Sequence, residues 1–157
     1  MINKMPTLKD QLTRAIGRLN PSQSFEIIFF QNGNFDSFMQ YEHRNALVPA
    51  TPEARKSASK FLQGVTTSGS TDPIPALDAA FKTRPHLICL LTDGDFTDKD
   101  AVLKEIRELN KGQNPKIKIN TIALIGDGEN EVTFLDLLKM IAKETGGIYR
   151  HVKESDL

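Results

Sequence analysis

At 157 residues with no linker, repeat or low-complexity tract, the chain is long enough to bury one core, and residues 1–157 read as a single domain. Charged residues at 25% and hydrophobic ones at 39% suit a soluble globular protein and exclude a disordered one. Twenty basic residues balance twenty acidic ones, no run reaches the roughly 18 apolar residues of a membrane span, and the lone Cys89 cannot form an internal disulfide, so neither nucleic acid nor membrane contact is expected of this segment.

Helical and strand periods alternate along the chain. Leu8, Leu12, Ile16 and Leu19 give one apolar face to a first helix, with Pro6 in its first turn. Phe25-Glu26-Ile27-Ile28-Phe29-Phe30 reads as a buried strand. Asn32-Gly33 predicts a hairpin whose return, Phe38 to Tyr41, is an antiparallel edge strand. Thr51-Pro52-Glu53 starts a helix carrying Ala54, Ala58, Phe61, Leu62 and Val65. After a small-residue loop at 66–70, Thr71 or Asp72 caps a helix with Pro73 in its first turn and Ile74, Leu77 and Phe81 inward.

His86 to Leu91 predicts a second buried strand, with Cys89 as a small core residue. Asp98 to Asn110 is an amphipathic helix with Val102, Ile106 and Leu109 on one side. Ile117 to Ile125 is a strand, and Phe134, Leu137, Leu138 and Ile141 mark a helix stopped by Gly146-Gly147. Ile148 to Val152 is a last short strand. This alternation predicts an α/β fold. Its expected form is three-layer and Rossmann-like, a mostly parallel sheet with helices on both faces and one antiparallel edge strand.

The run Ile88-Cys89-Leu90-Leu91-Thr92-Asp93-Gly94-Asp95 ends an apolar strand in carboxylates, where open α/β sheets bind ligands. Acids there are natural ligands for a hard cation such as Mg²⁺. Two families end a strand this way. Asp93-Gly94-Asp95-Phe96-Thr97 resembles the D-x-D-x-[T/V] loop of haloacid dehalogenase-like phosphatases, and Ile125-Gly126-Asp127-Gly128-Glu129-Asn130-Glu131 resembles their later Mg²⁺-binding acidic loop. That resemblance implies a Mg²⁺-dependent phosphatase with Asp93 as nucleophile and Asp95 as general acid/base. Spacing opposes it, because only one βα unit separates the two motifs and about ninety residues precede the first.

A second resemblance uses far more of the chain. Ser68-Gly69-Ser70-Thr71-Asp72-Pro73-Ile74-Pro75-Ala76-Leu77 resembles the Gly-Gly-Thr-x-x-x-x-Ala-Leu segment of von Willebrand factor type A domains, and Leu91-Thr92-Asp93-Gly94 resembles their strand-end Thr-Asp-Gly. The first helix, the Phe25–Phe30 run and the tail from Phe134 to Tyr149 follow the same order. The resemblance implies a non-catalytic protein-interaction module holding a divalent cation at a metal-ion-dependent adhesion site. An acidic side chain of a protein partner would complete that coordination sphere. By motif, the metal ligands are Thr71 and Asp93, with Thr92, Ser70 and Asp95 as possible supports around them.

The family's D-x-S-x-S loop, which supplies three of five ligands, occurs nowhere in these residues. In bacterial relatives a Met follows that loop directly, so Met1 is expected to stand just after it. The chain is then expected to lack the family's first, central strand. Two ligands out of five predict weak or absent Mg²⁺ binding by this chain alone, against firm binding once the loop is restored. The lost strand would leave unpaired backbone between Phe25–Phe30 and His86–Leu91. Rearranged pairing or a homodimer formed by strand pairing or swapping is expected to close the gap. Such modules belong to larger, sometimes membrane-anchored bacterial proteins, and the compartment is not fixed by these residues.

The other polar groups read as structural. Asp98 is a helix cap, and Asp127, Glu129 and Glu131 are loop and helix-start acids. His43, His86 and His151 have no metal spacing, Ser68 is loop, and no G-x-S-x-G elbow occurs.

Overall fold

The computed structural model describes residues 5–31, 34–66, 72–92, 96–125 and 132–153. Its elements run α1 (Met5–Gly17), β1 (Ser24–Phe25), β2 (Ile28–Gln31), β3 (Asn34–Ser37), α2 (Phe38–Tyr41), β4 (Val48–Pro49) and α3 (Pro52–Gly64). There follow α4 (Ile74–Lys82), β5 (Leu87–Thr92), α5 (Lys99–Asn110), β6 (Lys118–Ile125), α6 (Val132–Thr145) and β7 (Tyr149–Lys153). Mixed helix and strand with a parallel β5-β6-β7 sheet make this an α/β fold.

The described strands form three sheets and not the single one expected. β1 pairs antiparallel with β4, β2 antiparallel with β3, and β5, β6 and β7 run parallel in that order. Among the described residues no ladder joins β2 to β5.

Two sequence expectations give way in the first half. The run Phe25–Phe30 divides into β1 and β2, and Phe38–Tyr41 is a helical turn, the return strand being Asn34–Ser37. Glu26 accounts for both. Its Oε1 accepts the backbone N–H of Ile27 at 2.7 Å and of Met39 at 2.9 Å, while its Oε2 accepts the Ser37 hydroxyl at 2.5 Å. A carboxylate that draws Ile27 N–H to itself interrupts the ladder, and its bond to Met39 N–H satisfies an unpaired donor of the α2 turn. Ser37 adds the cap, its hydroxyl oxygen facing Gln40 N–H.

Helix starts follow the sequence closely. Thr51 Oγ1 accepts Ala54 N–H at 3.1 Å to open α3, and Asp98 Oδ1 accepts Ala101 N–H at 2.9 Å to open α5. The end of α6 needs both of its glycines. Gly146 adopts φ +78°, and a side chain on Gly147 would place Cβ 2.0 Å from the Ile119 carbonyl oxygen.

Two apolar clusters fill the interior. The first joins Leu8 and Ile16 of α1 and Ala58, Phe61 and Leu62 of α3 with Phe25, Phe29, Phe38, Val48 and Leu124. Phe38 is its hub, with ring centroids 5.4 Å from Phe25 and 5.7 Å from Phe61. The second joins Leu77 and Phe81 of α4, Val102 and Ile106 of α5, and Phe134, Leu137, Leu138 and Ile141 of α6 with Leu90, Ile119 and Ala123. Side chains alternate along a strand, so the clusters lie on opposite faces of the parallel sheet: Leu91, Leu124 and Val152 meet the first and Leu90, Ala123 and Tyr149 the second.

Polar side chains pin this second layer. Asn110 donates to the Ile117 carbonyl at 3.0 Å and accepts Ile117 N–H at 2.9 Å, fastening the end of α5 to the entry of β6. Thr145 Oγ1 accepts Ile119 N–H at 3.0 Å, and Thr121 donates to the Leu138 carbonyl at 2.8 Å. Cys89, expected in the core, is exposed, and so is Leu87 (45%) at the head of the same strand. β5 was read as buried because it is uniformly apolar; only its second-cluster face and its C-terminal end are covered.

Candidate functional site

The strand-end region is bounded by described residues on both sides. β5 ends at Thr92, which is 2% exposed, registers with Ala123 of β6 and lies on the second-cluster face. Phe96 is buried in the second cluster, and Asp98 then caps α5. On the neighbouring helix the N-cap position falls to Pro73, which makes no side-chain cap bond, while Asp72 Oδ1 accepts Ile74 N–H at 3.1 Å from just outside the helix; Thr71, the other expected cap, lies outside the described residues. Pro73 is buried, and Ala76 and Leu77 anchor the first turn.

The sequence-derived ligands fall differently. Thr71, Ser70, Asp93 and Asp95 lie outside the described residues, as do Ser68, Asp127, Glu129 and Glu131. Thr92 is within them, and its burial suits a residue that supports a strand end from inside the core. Asp98 is the cap the sequence indicated. Among the described residues no group of three or more His, Cys, Asp or Glu side chains is placed to hold a metal ion. His43, His86 and His151 are exposed, and His151 has its ring centroid 6.3 Å from Tyr149.

Against known proteins, no family model matches the chain. It is 25% identical over 155 aligned residues to inter-alpha-trypsin inhibitor heavy chain H1 of Mesocricetus auratus. The alignment takes in 87% of this chain and 16% of the heavy chain, so the chain spans about a sixth of that relative's length. The similarity thus takes in most of this chain and concerns one region of a much longer protein.

A hollow of about 320 Å³ lies between α5 and α6, lined by Ile106, Arg107, Asn110, Lys116, Glu144 and Thr145. Four of its polar side chains, Arg107, Asn110, Glu144 and Thr145, already have protein partners. Arg107 grips Glu144 through two bonds, Nε to Oε2 at 2.9 Å and Nη2 to Oε1 at 2.5 Å, while Asn110 and Thr145 are committed to β6. Hydrogen bonding from Arg107 holds the Glu144 carboxyl below its usual pKa, and Lys116 adds to this. The hollow is an architectural joint.

What sequence reasoning overlooked is an uncovered sheet face. Leu87, in the strand that periodicity assigns to the interior, is 45% exposed, and Ile148, just before β7, is 63% exposed. A signal was present in Lys118, Asn120 and Arg150, which punctuate β6 and β7 at alternate positions.

Proposed function

We propose that this chain is a non-catalytic protein-interaction module of the von Willebrand factor type A kind, which receives a protein partner at the C-terminal ends of its parallel strands. One observation carries the reading: the match that spans 87% of the chain is to a heavy chain containing a domain of that type. The α/β fold and the buried strand-end Thr92 are consistent with it.

In this reading Thr71 contributes a hydroxyl and Asp93 a carboxylate toward a divalent cation, and Thr92, Ser70 and Asp95 support them. A partner's acidic side chain would bind there. Mg²⁺ favours six oxygen donors in near-octahedral order and gives up water reluctantly. Two protein donors do not meet that demand, and no Asp-x-Ser-x-Ser is present to add to them. On this reading the metal contact by these 157 residues alone is weak.

Two measurements test the proposal. Amide NMR during Mg²⁺ titration is expected to move Thr71, Thr92 and Asp93 only at millimolar metal, with no change in melting temperature at lower concentration. Unmoved resonances at every concentration would remove these residues as ligands. Hydrolysis of p-nitrophenyl phosphate with Mg²⁺ is expected to stay at background. Activity that disappears in Asp93→Asn would make the chain a phosphatase and overturn the module reading.

A further inference from the structure

Parallel sheets are ordinarily buried on both faces, because helices cover each side. In β5-β6-β7 the two faces are treated unequally. On the second-cluster face, Leu90, Thr92, Ile119, Thr121 and Ala123 are buried beneath α4, α5 and α6. On the other face, among the described residues, only the C-terminal ends are covered, where Leu91, Leu124 and Val152 meet the α1–α3 cluster.

The N-terminal half of that face is bare. The register sets Leu87 beside Lys118 and Ile122 beside Arg150. Leu87 and Ile148 are 45% and 63% exposed, Cys89 is exposed, and Ile122 is half-buried. The charges on it have one sign, since Lys118 and Arg150 are exposed and no strand residue of this face between 87 and 91, 118 and 124 or 148 and 152 is acidic.

We propose that this bare face is a docking surface for an amphipathic helix of a partner protein, apolar where it meets the sheet and acidic along its flanks. The dimensions suit one helix. Three strands about 4.8 Å apart span about 10 Å, the diameter of a helix with its side chains. Five residues of strand run about 13 Å, a little over two helical turns. Leu87, Ile122 and Ile148 provide the apolar floor. Arg150 stands on the edge strand β7, where a flanking Glu or Asp of the helix would reach it, and Lys118 stands with Asn120 on the central strand β6, where Lys118 at the strand's N-terminal end meets an acidic side chain near one end of the helix. This surface is distinct from the strand-end site and uses no metal.

The test uses two labelled peptides with the same apolar helical stripe, one flanked by Glu and the other by Lys, read by fluorescence anisotropy and amide NMR. The Glu-flanked peptide is expected to bind with shifts centred on Leu87, Ile122 and Ile148, and the Lys-flanked peptide about tenfold more weakly. Ile148→Asp is expected to weaken binding by about tenfold or more, and the double variant Lys118→Glu with Arg150→Glu to invert the preference. These side chains are exposed, so far-UV circular dichroism should be unchanged in each. EDTA should leave the binding intact, which separates this surface from the strand-end reading. No binding up to about 1 mM, equal binding of both peptides, or shifts elsewhere would overturn the proposal. A concentration-dependent dimer abolished by Ile148→Asp would overturn it as well, assigning the face to a second copy of the chain.

Discussion

The Glu26 carboxylate and the Ser37 hydroxyl meet at 2.5 Å across the root of the β2–β3 hairpin. The bond joins residues eleven apart, and the same carboxylate also holds Ile27 and Met39 by their backbone N–H groups. One side chain therefore sets where β2 begins and where α2 replaces β3. Hydrogen bonds to a charged acceptor are worth about 1.5–3 kcal/mol each, and stranding partly buried donors adds to the cost. Glu26→Ala is expected to lower unfolding free energy by about 2–4 kcal/mol in urea titration, with Glu26→Gln recovering part of it. A loss below about 0.5 kcal/mol would mean the network does not hold the hairpin.

Gly147 is set against Ile119 with no room for a side chain. A Cβ there would stand 2.0 Å from a backbone oxygen, which belongs to a β6 residue that is itself fully buried. Gly147→Ala is expected to destabilise by about 2–4 kcal/mol, read as a lowered melting temperature. Gly146→Ala, strained only by its positive φ, should cost about 1–2 kcal/mol.

Asp98→Ala tests whether an acid near the strand end is structural. Loss of its bond to Ala101 N–H should cost about 1 kcal/mol and leave the Mg²⁺ response of Thr71 and Asp93 unchanged. A metal response lost with Asp98 would place it among the ligands.

Two surface carboxyls should titrate on opposite sides of the ordinary glutamate value. Glu144 is lowered, first by its hydrogen bond from Arg107. Its stabilisation is present above the ordinary glutamate pKa and is lost as pH falls through the depressed folded value. Glu105 is raised, first by its hydrogen bond with Asp78 and then by desolvation and the charges of Asp78 and Glu108. The stabilisation it contributes is present in acid and is lost as pH rises through the raised folded value. Carboxyl-carbon NMR should find the two midpoints straddling the ordinary value. Arg107→Ala should raise that of Glu144, and Asp78→Asn should lower that of Glu105. Unmoved midpoints would remove these contacts as the cause.

Cys89 is exposed as a residue, yet burial of its thiol raises the pKa. Alkylation by iodoacetamide at neutral pH should be slower than for a free thiol and should quicken steadily into the alkaline range. A fast neutral reaction would show the sulfur to be solvated.

Most helices could be placed from sequence because each carries its own stop and start chemistry. Thr51 and Asp98 cap as their positions imply, and Gly146-Gly147 ends α6 as read. The first strand run could not be read correctly, because its division depends on a carboxylate meeting partners eleven and thirteen residues away. β5 was misjudged for a different reason: Leu87 and Cys89 carry no mark of exposure in a run that is apolar throughout. Near the candidate site, Asp98 caps α5 as its position implies, but Pro73 and not Thr71 or Asp72 takes the N-cap position of α4, while Thr71, Ser70, Thr92, Asp93 and Asp95 have their site roles from motif alone.

Among the described residues β2 and β5 share no ladder, and this bears on how the molecule comes apart. The two clusters are each built mainly from consecutive stretches of chain, residues 8–65 in one and residues 77–141 in the other, with few apolar bridges such as Leu124 and Phe30. Contiguous supersecondary units commonly open as separate foldons. The hairpin half should then exchange its amide hydrogens through openings that leave β6 protected. The protein would behave mechanically as two panels on a soft seam.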